Sequence, residues 1–428
     1  MLGFFYTFEQ MNIKELYRLF KQHPIICTDS REIKQGSMFF ALKGENFNGN
    51  KFAEKAIESG CAFAIVDEKQ YAVHSKYILV DDVLNTLQEL AKQHRTHLNI
   101  PIIGITGSNG KTTSKELTHA VLSTEKNCYA TKGNLNNHIG VPLSILEISA
   151  KDELAIIEMG ANHIGEIKAL CQIAIPNYGI ITNIGKAHLE GFGSIDGVVK
   201  AKAELYQFIA KTDGRLFVNN KAELLLELAA NVSKTTYGEN GDCVGNIETN
   251  TPFISVKFRD QIITSNLIGD YQFYNIMLAI TVGKYFEISD NNIKKAIENY
   301  TPTNNRSEII ETKNNTLILD AYNANPTSMK AMLTSFRKQN YNNKLCILGD
   351  MLELGKYSVK EHETIVELTN KLDLESIFIG NEFSNVEKGA FKNTNEFSKI
   401  LKENPIRNKA ILLKGSRGIA LEKLVELL

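Results

Sequence analysis

A short apolar run, Ile100–Ile105, opens into Gly107-Ser-Asn-Gly-Lys-Thr-Thr113 and then into helix-forming sequence. This junction constrains the chain more than any other feature. A short apolar run bounded by glycine fits a strand buried in a parallel sheet. Gly107 and Gly110 allow a tight turn whose N–H groups point inward, and the start of the following helix adds free N–H groups and a favourable dipole. Lys111 supplies a mobile cation for β and γ phosphates, and the Thr112 hydroxyl can ligate Mg²⁺. The strict spacing of a phosphate loop is off by one place, because Ile105 stands five residues before Gly110 and the glycine is Gly104. The physical ingredients survive the shift. Gly107, Ser108, Asn109, Gly110, Lys111, Thr112 and Thr113 are therefore expected to hold ATP. A purely structural glycine turn is the alternative, and Lys-Thr at the helix start weighs against it.

At roughly 150 residues per domain, 428 residues suggest three domains. Residues 11–98 read as a small α/β domain. It has helices at 12–21, 51–59 and from Val83 to about His97, strands at Ser37–Leu42, Ala62–Val66 and Tyr77–Val80, and a polar turn at Gly44–Gly49. Residues 99–302 alternate strands (154–158, 178–182, Arg215–Asn219) with helices (112–124, 164–170, 195–210), which predicts a mostly parallel, doubly wound sheet. Short alternating segments from 243 to 268 suggest antiparallel strands at its edge, and helices at 271–285 and 290–299 follow. Thr301-Pro302-Thr303 reads as a linker. Residues 303–428 carry four further strand candidates, Thr316–Asp320, Lys344–Leu348, Ser376–Ile379 and Ala410–Lys414, in a third, Rossmann-like α/β unit.

Acidic and basic residues nearly cancel, giving a net charge of -1. No basic surplus points to nucleic acid or a membrane surface. No apolar run reaches the roughly 18 residues of a membrane span. Six widely separated cysteines fit reduced thiols in a cytoplasmic protein. Residues 1–10 are aromatic, without a basic segment or small-residue cleavage site. They read as an extension or a misassigned start ahead of the first helix, and not as a signal peptide.

Glu158 ends the apolar run Leu154–Glu158, where open α/β sheets bind ligands. It is either an Mg²⁺ ligand or a turn residue before Met159-Gly160. His188 follows another apolar strand and is either structural or functional. Lys202, on the helix at 195–210, reads by itself as a surface lysine paired with a helix carboxylate.

These pieces, taken in order, resemble the Mur ligases, ATP-dependent amide ligases of peptidoglycan precursor synthesis. The resemblance runs over almost all of residues 12–428. It rests on Thr28-Asp-Ser-Arg31 with Phe39–Gly44, the loop at 106–113, Gly133–Leu143, Glu158–Asn162, and Ala187–Glu190 with Ala201-Lys202. It continues through Arg306-Ser-Glu308, Asp320–Pro326, Leu348–Gly355 and Lys414-Gly-Ser-Arg417. The segments Asp320–Pro326 and Leu348–Gly355 favour the branch that joins D-alanyl-D-alanine to UDP-N-acetylmuramoyl-tripeptide.

The resemblance implies that Lys202 is carbamylated and shares Mg²⁺ with Thr112, Glu158 and His188. Lys111, Glu158, His188 and Lys202 become the expected catalytic group. Asn275, Arg306 and Asp320 join the nucleotide site, while Ser30, Arg31, Asn136, Asn137, Asn323 and Lys414 face the substrates. The family's Gly-x-His-Asn-x-x-Asn run stands here as Gly269-Asp-Tyr-Gln-Phe-Tyr-Asn275, with Asn275 kept and Tyr271 and Gln272 substituted. The implied reaction is attack of the tripeptide carboxylate on ATP, then displacement of phosphate by the dipeptide amine, in a monomer. The third residue of the tripeptide, lysine or diaminopimelate, stays open. Two rivals remain: a sister ligase with another acceptor, and a nucleotide-driven binding switch without ligation.

Overall fold

The computed structural model describes residues 11–303 and 305–428. The expectation for residues 1–10 lies outside the described residues. The chain forms two compact units. The first comprises the residues up to Gly104 with Asn127–Gly160 and Glu166–Asn177. The second comprises Ile105–Lys126, Ala161–Gly165 and Tyr178–Leu428.

Within the first unit, Ile26–Cys27, Met38–Phe40, Phe63–Val66 and Tyr77–Leu79 make a four-stranded parallel sheet in that order. It is a sheet separate from the one that contains Ile102–Thr106. The expected polar turn is a small hairpin, Lys43–Gly44 against Phe47–Asn48. Helix Ile13–Gln22 starts in a capping box between Asn12 and Glu15 and buries Leu16, Tyr17 and Phe20. Helix Val83–His97 is capped by Asp82 and buries Val83, Leu87, Leu90 and Ala91, the stripe that a 3.6-residue period dictates.

The same helix buries Arg95 to 7% exposure. Its guanidinium donates to the carbonyls of Ala174 (2.8 Å), Leu98 (2.9 Å), Ile100 (3.3 Å) and Ile175 (3.0 Å) and to Asn177 Oδ1 (3.1 Å). Asn177 Oδ1 also accepts the N–H of Ile102 (2.9 Å), so one cation organises the entry into the loop-bearing strand. Arg95→Ala would leave several buried carbonyls without a donor. It is expected to cost about 3 kcal/mol or more, read by denaturant unfolding followed by circular dichroism.

The largest sheet has seven strands in the order Cys243–Val244, Lys234–Gly238, Arg215–Asn219, Tyr178–Ile181, Ile102–Thr106, Leu154–Glu158 and Cys128–Ala130. Its registered pairs run parallel. The expectation of antiparallel strands at this sheet's edge is corrected. Cys243–Val244 is itself a parallel edge strand, and Asn246–Thr249, Ser255–Phe258 and Gln261–Thr264 form a sheet of their own. The chain leaves the large sheet at Gly245, where an added Cβ would lie 2.5 Å from Met277 Sδ.

The C-terminal sheet has five strands, Glu308–Glu311, Thr316–Asp320, Ala410–Lys414, Lys344–Gly349 and Glu375–Ile379. The first is antiparallel and was not among the sequence-predicted strands. Leu317, Leu319, Leu345, Ile347, Ile411 and Leu413 share its core with Phe397 and Leu401. Helix Pro326–Lys338 begins with Asn325 as cap and proline in its first turn. Among the described residues no helix is long and apolar enough to cross a membrane.

Candidate active site

All five residues of Ile102–Thr106 are buried, and the loop that follows is braced by the neighbouring chain at 182–185. Ser108 N–H donates to the Asn183 carbonyl (3.0 Å), and Asn109 N–H to Asn183 Oδ1 (3.0 Å). Thr182 Oγ1 (2.6 Å) and Asn183 Nδ2 (2.9 Å) both donate to the Asn109 carbonyl. Ser108 Oγ donates to the Gly185 carbonyl (3.1 Å) and lies 3.0 Å from the Gly185 amide. Gly107 has φ +147°, and a Cβ there would lie 1.9 Å from Thr182 Oγ1, so no larger residue fits. Lys111 Nζ reaches back to the Gly107 carbonyl at 2.7 Å, arching over the loop it is expected to serve. Thr112 and Thr113 open helix Lys111–Leu122 and are buried.

Asn275 sits under this loop. Its Oδ1 accepts from Ser114 Oγ (2.9 Å), and its Nδ2 donates to Gln272 Oε1 (2.6 Å). Gln272 thus serves as an acceptor that positions the retained asparagine. Tyr271 meets Ser307 Oγ at 3.4 Å, and burial pushes its phenol well above the usual range.

Glu158 ends its strand at 1% exposure. Its Oε1 accepts from Asn136 Nδ2 (2.8 Å), and its N–H donates to Thr131 Oγ1 (3.0 Å). The carbonyl of Asn136 also accepts the Gly160 N–H (2.7 Å), so Asn136 and Glu158 form one structural element. Asn137 Oδ1 instead accepts the N–H groups of Ile139 (3.1 Å) and Gly140 (2.9 Å), at the entry to helix Gly140–Glu147. Ser30 precedes Arg31, whose side chain is 83% exposed and forks onto Asp29, holding that carboxyl down at about 2.

Lys202 is not the surface lysine that its residue type suggests. It is 2% exposed, with Nζ 5.4 Å from the centre of the Phe192 ring. His188 meets the same ring edge-on at 6.4 Å. The backbone of His188 is left-handed (φ 50°), an uncommon state for a residue with a Cβ. Its Nδ1 lies against the Glu353 carboxylate, and His188 holds that carboxyl below its usual range. Among the described residues no three His, Cys, Asp or Glu side chains are arranged to hold a metal ion by themselves.

The C-terminal sheet brings another group together. Asp320 and Lys414 are register partners at the ends of parallel strands, 2.6 Å apart, with Lys414 at 2% exposure. Arg306 stacks 3.7 Å from the Tyr322 ring, and Arg417 lies 5.7 Å from it. Asn323 is exposed, with Oδ1 accepting the Ala324 N–H (2.8 Å). Asn109 of the loop exchanges amide hydrogen bonds with Asn325 (2.7 and 3.4 Å), which joins the loop to this sheet's first helix. Reading from sequence did not single out Asn183, Asn325, Tyr322 or Glu353. All four lie next to quoted segments or within them, but their roles depend on tertiary contacts.

A glycine-framed loop after a buried parallel strand, with a lysine arched over it, has the build of a phosphate-binding loop of a nucleotide-dependent protein. The chain belongs to the Mur ligase family. The Mur ligase middle-domain model matches residues 105–283, the Mur ligase glutamate-ligase domain residues 305–400, and the Mur ligase family catalytic domain residues 24–95. The UDP-N-acetylmuramoyl-tripeptide–D-alanyl-D-alanine ligase of Bacillus subtilis (strain 168) is 35% identical, over 94% of this chain and 92% of the relative. The ligase of that name from Haemophilus influenzae is 31% identical over 94% and 92%. Among solved structures, MurF of Acinetobacter baumannii superposes with a TM-score of 0.84 at 31% identity, covering 94% of this chain and 92% of that one. MurF of Thermotoga maritima, solved with ADP, gives 0.82 at 26% identity, covering 94% and 96%.

Proposed function

We propose that the chain is an ATP-dependent amide ligase that joins D-alanyl-D-alanine to UDP-N-acetylmuramoyl-tripeptide, releasing ADP and phosphate. The observation that carries this reading is the likeness, over 94% of the chain, to relatives named for that reaction. The order of steps follows from chemistry. A carboxylate is a poor electrophile, so its oxygen first attacks the γ-phosphorus of ATP, and ADP leaves. The dipeptide amine then adds to the acyl-phosphate carbonyl, and phosphate departs with its bonding pair.

Lys111 stabilises charge on the transferring phosphoryl group. The backbone N–H groups from Gly107 to Thr113 cradle the phosphates, and Asn275 steadies the loop from beneath. Arg306 and Asp320 complete the nucleotide site. Ser30 and Arg31 take the UDP end of the substrate, Asn136 and Asn137 its peptide, and Asn323 and Lys414 the incoming dipeptide. Residues 11–98, 99–302 and 303–428 divide the work as substrate, ATP and ligase domains.

Thr112 and Glu158 offer hard oxygen donors of the kind Mg²⁺ favours, and the family resemblance adds the His188 imidazole to them. Lys202 fits this set only when carbamylated. Carbon dioxide bonds to the neutral amine nitrogen and a proton is lost, which replaces a repelling ammonium by two carboxylate-like oxygens. When bound, Mg²⁺ would screen the phosphate charges and polarise the γ-phosphoryl group.

The test is phosphate release from the purified full chain over a matrix of UDP-muramyl peptides and amine acceptors. Turnover should require the UDP-tripeptide and D-alanyl-D-alanine together. ATP hydrolysis with neither present would instead indicate a nucleotide switch. Turnover with a single amino acid would indicate a sister ligase.

A further inference from the structure

Asn109, in the middle of the phosphate loop, is held through its backbone on one side and through its side chain on another. Its N–H donates to Asn183 Oδ1 (3.0 Å), and its carbonyl accepts from Asn183 Nδ2 (2.9 Å) and Thr182 Oγ1 (2.6 Å). One side-chain amide thus takes both backbone groups of Asn109 and ties them to the chain at 182–185. The Asn109 side chain is left to face the C-terminal sheet, where it meets Asn325 at 2.7 Å.

The hydrogen bonds settle which atoms meet. Asn325 caps helix Pro326–Lys338 at 4% exposure, and its Oδ1 accepts the Ser328 N–H (2.9 Å). A backbone N–H can only donate, so the atom facing Ser328 is the oxygen, and Nδ2 is turned toward Asn109. The Asn109 atom 2.7 Å from that Nδ2 is then its oxygen. The return contact, Asn109 Nδ2 to Asn325 Oδ1, is long at 3.4 Å. Neighbouring contacts seat the helix start in the same place. Ser108 Oγ lies 3.0 Å from the Gly185 amide, a Cβ on Gly185 would lie 2.7 Å from Thr327 Oγ1, and that hydroxyl accepts the Lys186 N–H (3.1 Å).

Asn325 also closes the segment that leaves strand Thr316–Asp320 and carries Tyr322 and Asn323. Just before it, the Ala324 carbonyl accepts from Ser416 Oγ (3.4 Å), which ties the segment to the chain that follows Lys414. We propose that Asn325 is a positioning residue that couples the phosphate loop to this segment. A loop ordered around phosphates fixes Asn109, Asn109 fixes Asn325, and Asn325 fixes the segment that faces the incoming dipeptide. Linkage makes the coupling reciprocal, so an ordered segment also favours the phosphate-bound loop. That the segment receives a dipeptide rests on the reading given under Proposed function, whereas the coupling of loop to helix start does not.

The test uses the full chain and two variants that remove opposite halves of the contact. Asn325→Ser keeps a hydroxyl to cap the helix but has no second arm to reach Asn109. Asn109→Ala leaves the cap untouched. Hydrogen exchange read by mass spectrometry is compared with and without a non-hydrolysable ATP analogue and Mg²⁺. In the wild type the analogue should slow exchange in the loop, residues 105–113, and at the helix start, residues 324–336. In both variants the loop should keep its protection, while protection of the helix start is largely lost. In steady-state assays at saturating ATP and UDP-tripeptide, each variant should lower kcat/KM for D-alanyl-D-alanine roughly 2- to 10-fold, the worth of one hydrogen bond, and the double variant should lower it no further. Thermal melts by circular dichroism check that each variant is folded, and Asn109→Ala carries the test alone where Asn325→Ser is not. Helix-start exchange that the analogue leaves unchanged in the wild type, or slows equally in the variants, would overturn the proposal, as would losses that add in the double variant. Helix-start protection that follows the Asn109–Asn325 pair, without turnover on UDP-tripeptide and dipeptide, would sustain the coupling and defeat the ligase assignment instead.

Discussion

Lys111→Ala is expected to lower kcat by at least roughly 10²- to 10³-fold, the scale of losing one pre-aimed donor to a developing charge. The lysine sits at the first position of helix Lys111–Leu122, and its Nζ bonds the Gly107 carbonyl at 2.7 Å. It is therefore folded back over the place where phosphates would lie. Other residues hold most of the surrounding frame. Thr182, Asn183, Asn275 and Asn325 hold the loop through contacts that Lys111 does not make. The variant should keep its melting temperature to within a few degrees while phosphate release collapses. Lys111→Arg should not restore activity, because a planar fork cannot replace a compact ammonium at this turn. Near-normal turnover in Lys111→Ala would remove the loop from the catalytic account.

Much of this frame was legible before any coordinates. Helix Val83–His97 follows directly from its apolar spacing, and the buried strand ahead of the loop from its apolar run and the glycines after it. What stayed hidden has physical causes. Cys128–Ala130 and Glu308–Glu311 are edge strands of three and four residues, too short for either to carry a strong alternation. Helix Gly140–Glu147 starts with glycine, contains Pro142 and is buried on several sides, which leaves little helical periodicity to detect. Glu353 was visible only as part of a quoted segment. Its meeting with His188 depends on a loop fixed by His362 and Ser416, and no spacing along the chain predicts that.

Lys202 lies between these cases, because the signal was present and its residue type argued the other way. Val198, Ala201, Leu205, Tyr206 and Ile209 are the buried side of helix Ile195–Lys211, and Lys202 falls among them. The proposed carbamate would turn the side chain into an oxygen donor that a divalent cation favours. Lys202→Ala is therefore expected to lose most activity, on the order of 10²-fold or more, as removal of a group that stabilises transition-state charge does. The loss should appear mainly in kcat, because the proposed ATP-binding loop is intact. A small carboxylate such as acetate or formate, added to the assay, should recover part of the rate by entering the vacated space. The same additive should do nothing for Lys111→Ala, whose missing group is a cation. The direct measurement is a high-resolution density map of the ligand-bound enzyme prepared with bicarbonate. Density for three extra atoms beyond Nζ is the expected result, and a bare amine there would remove the carbamate from the site.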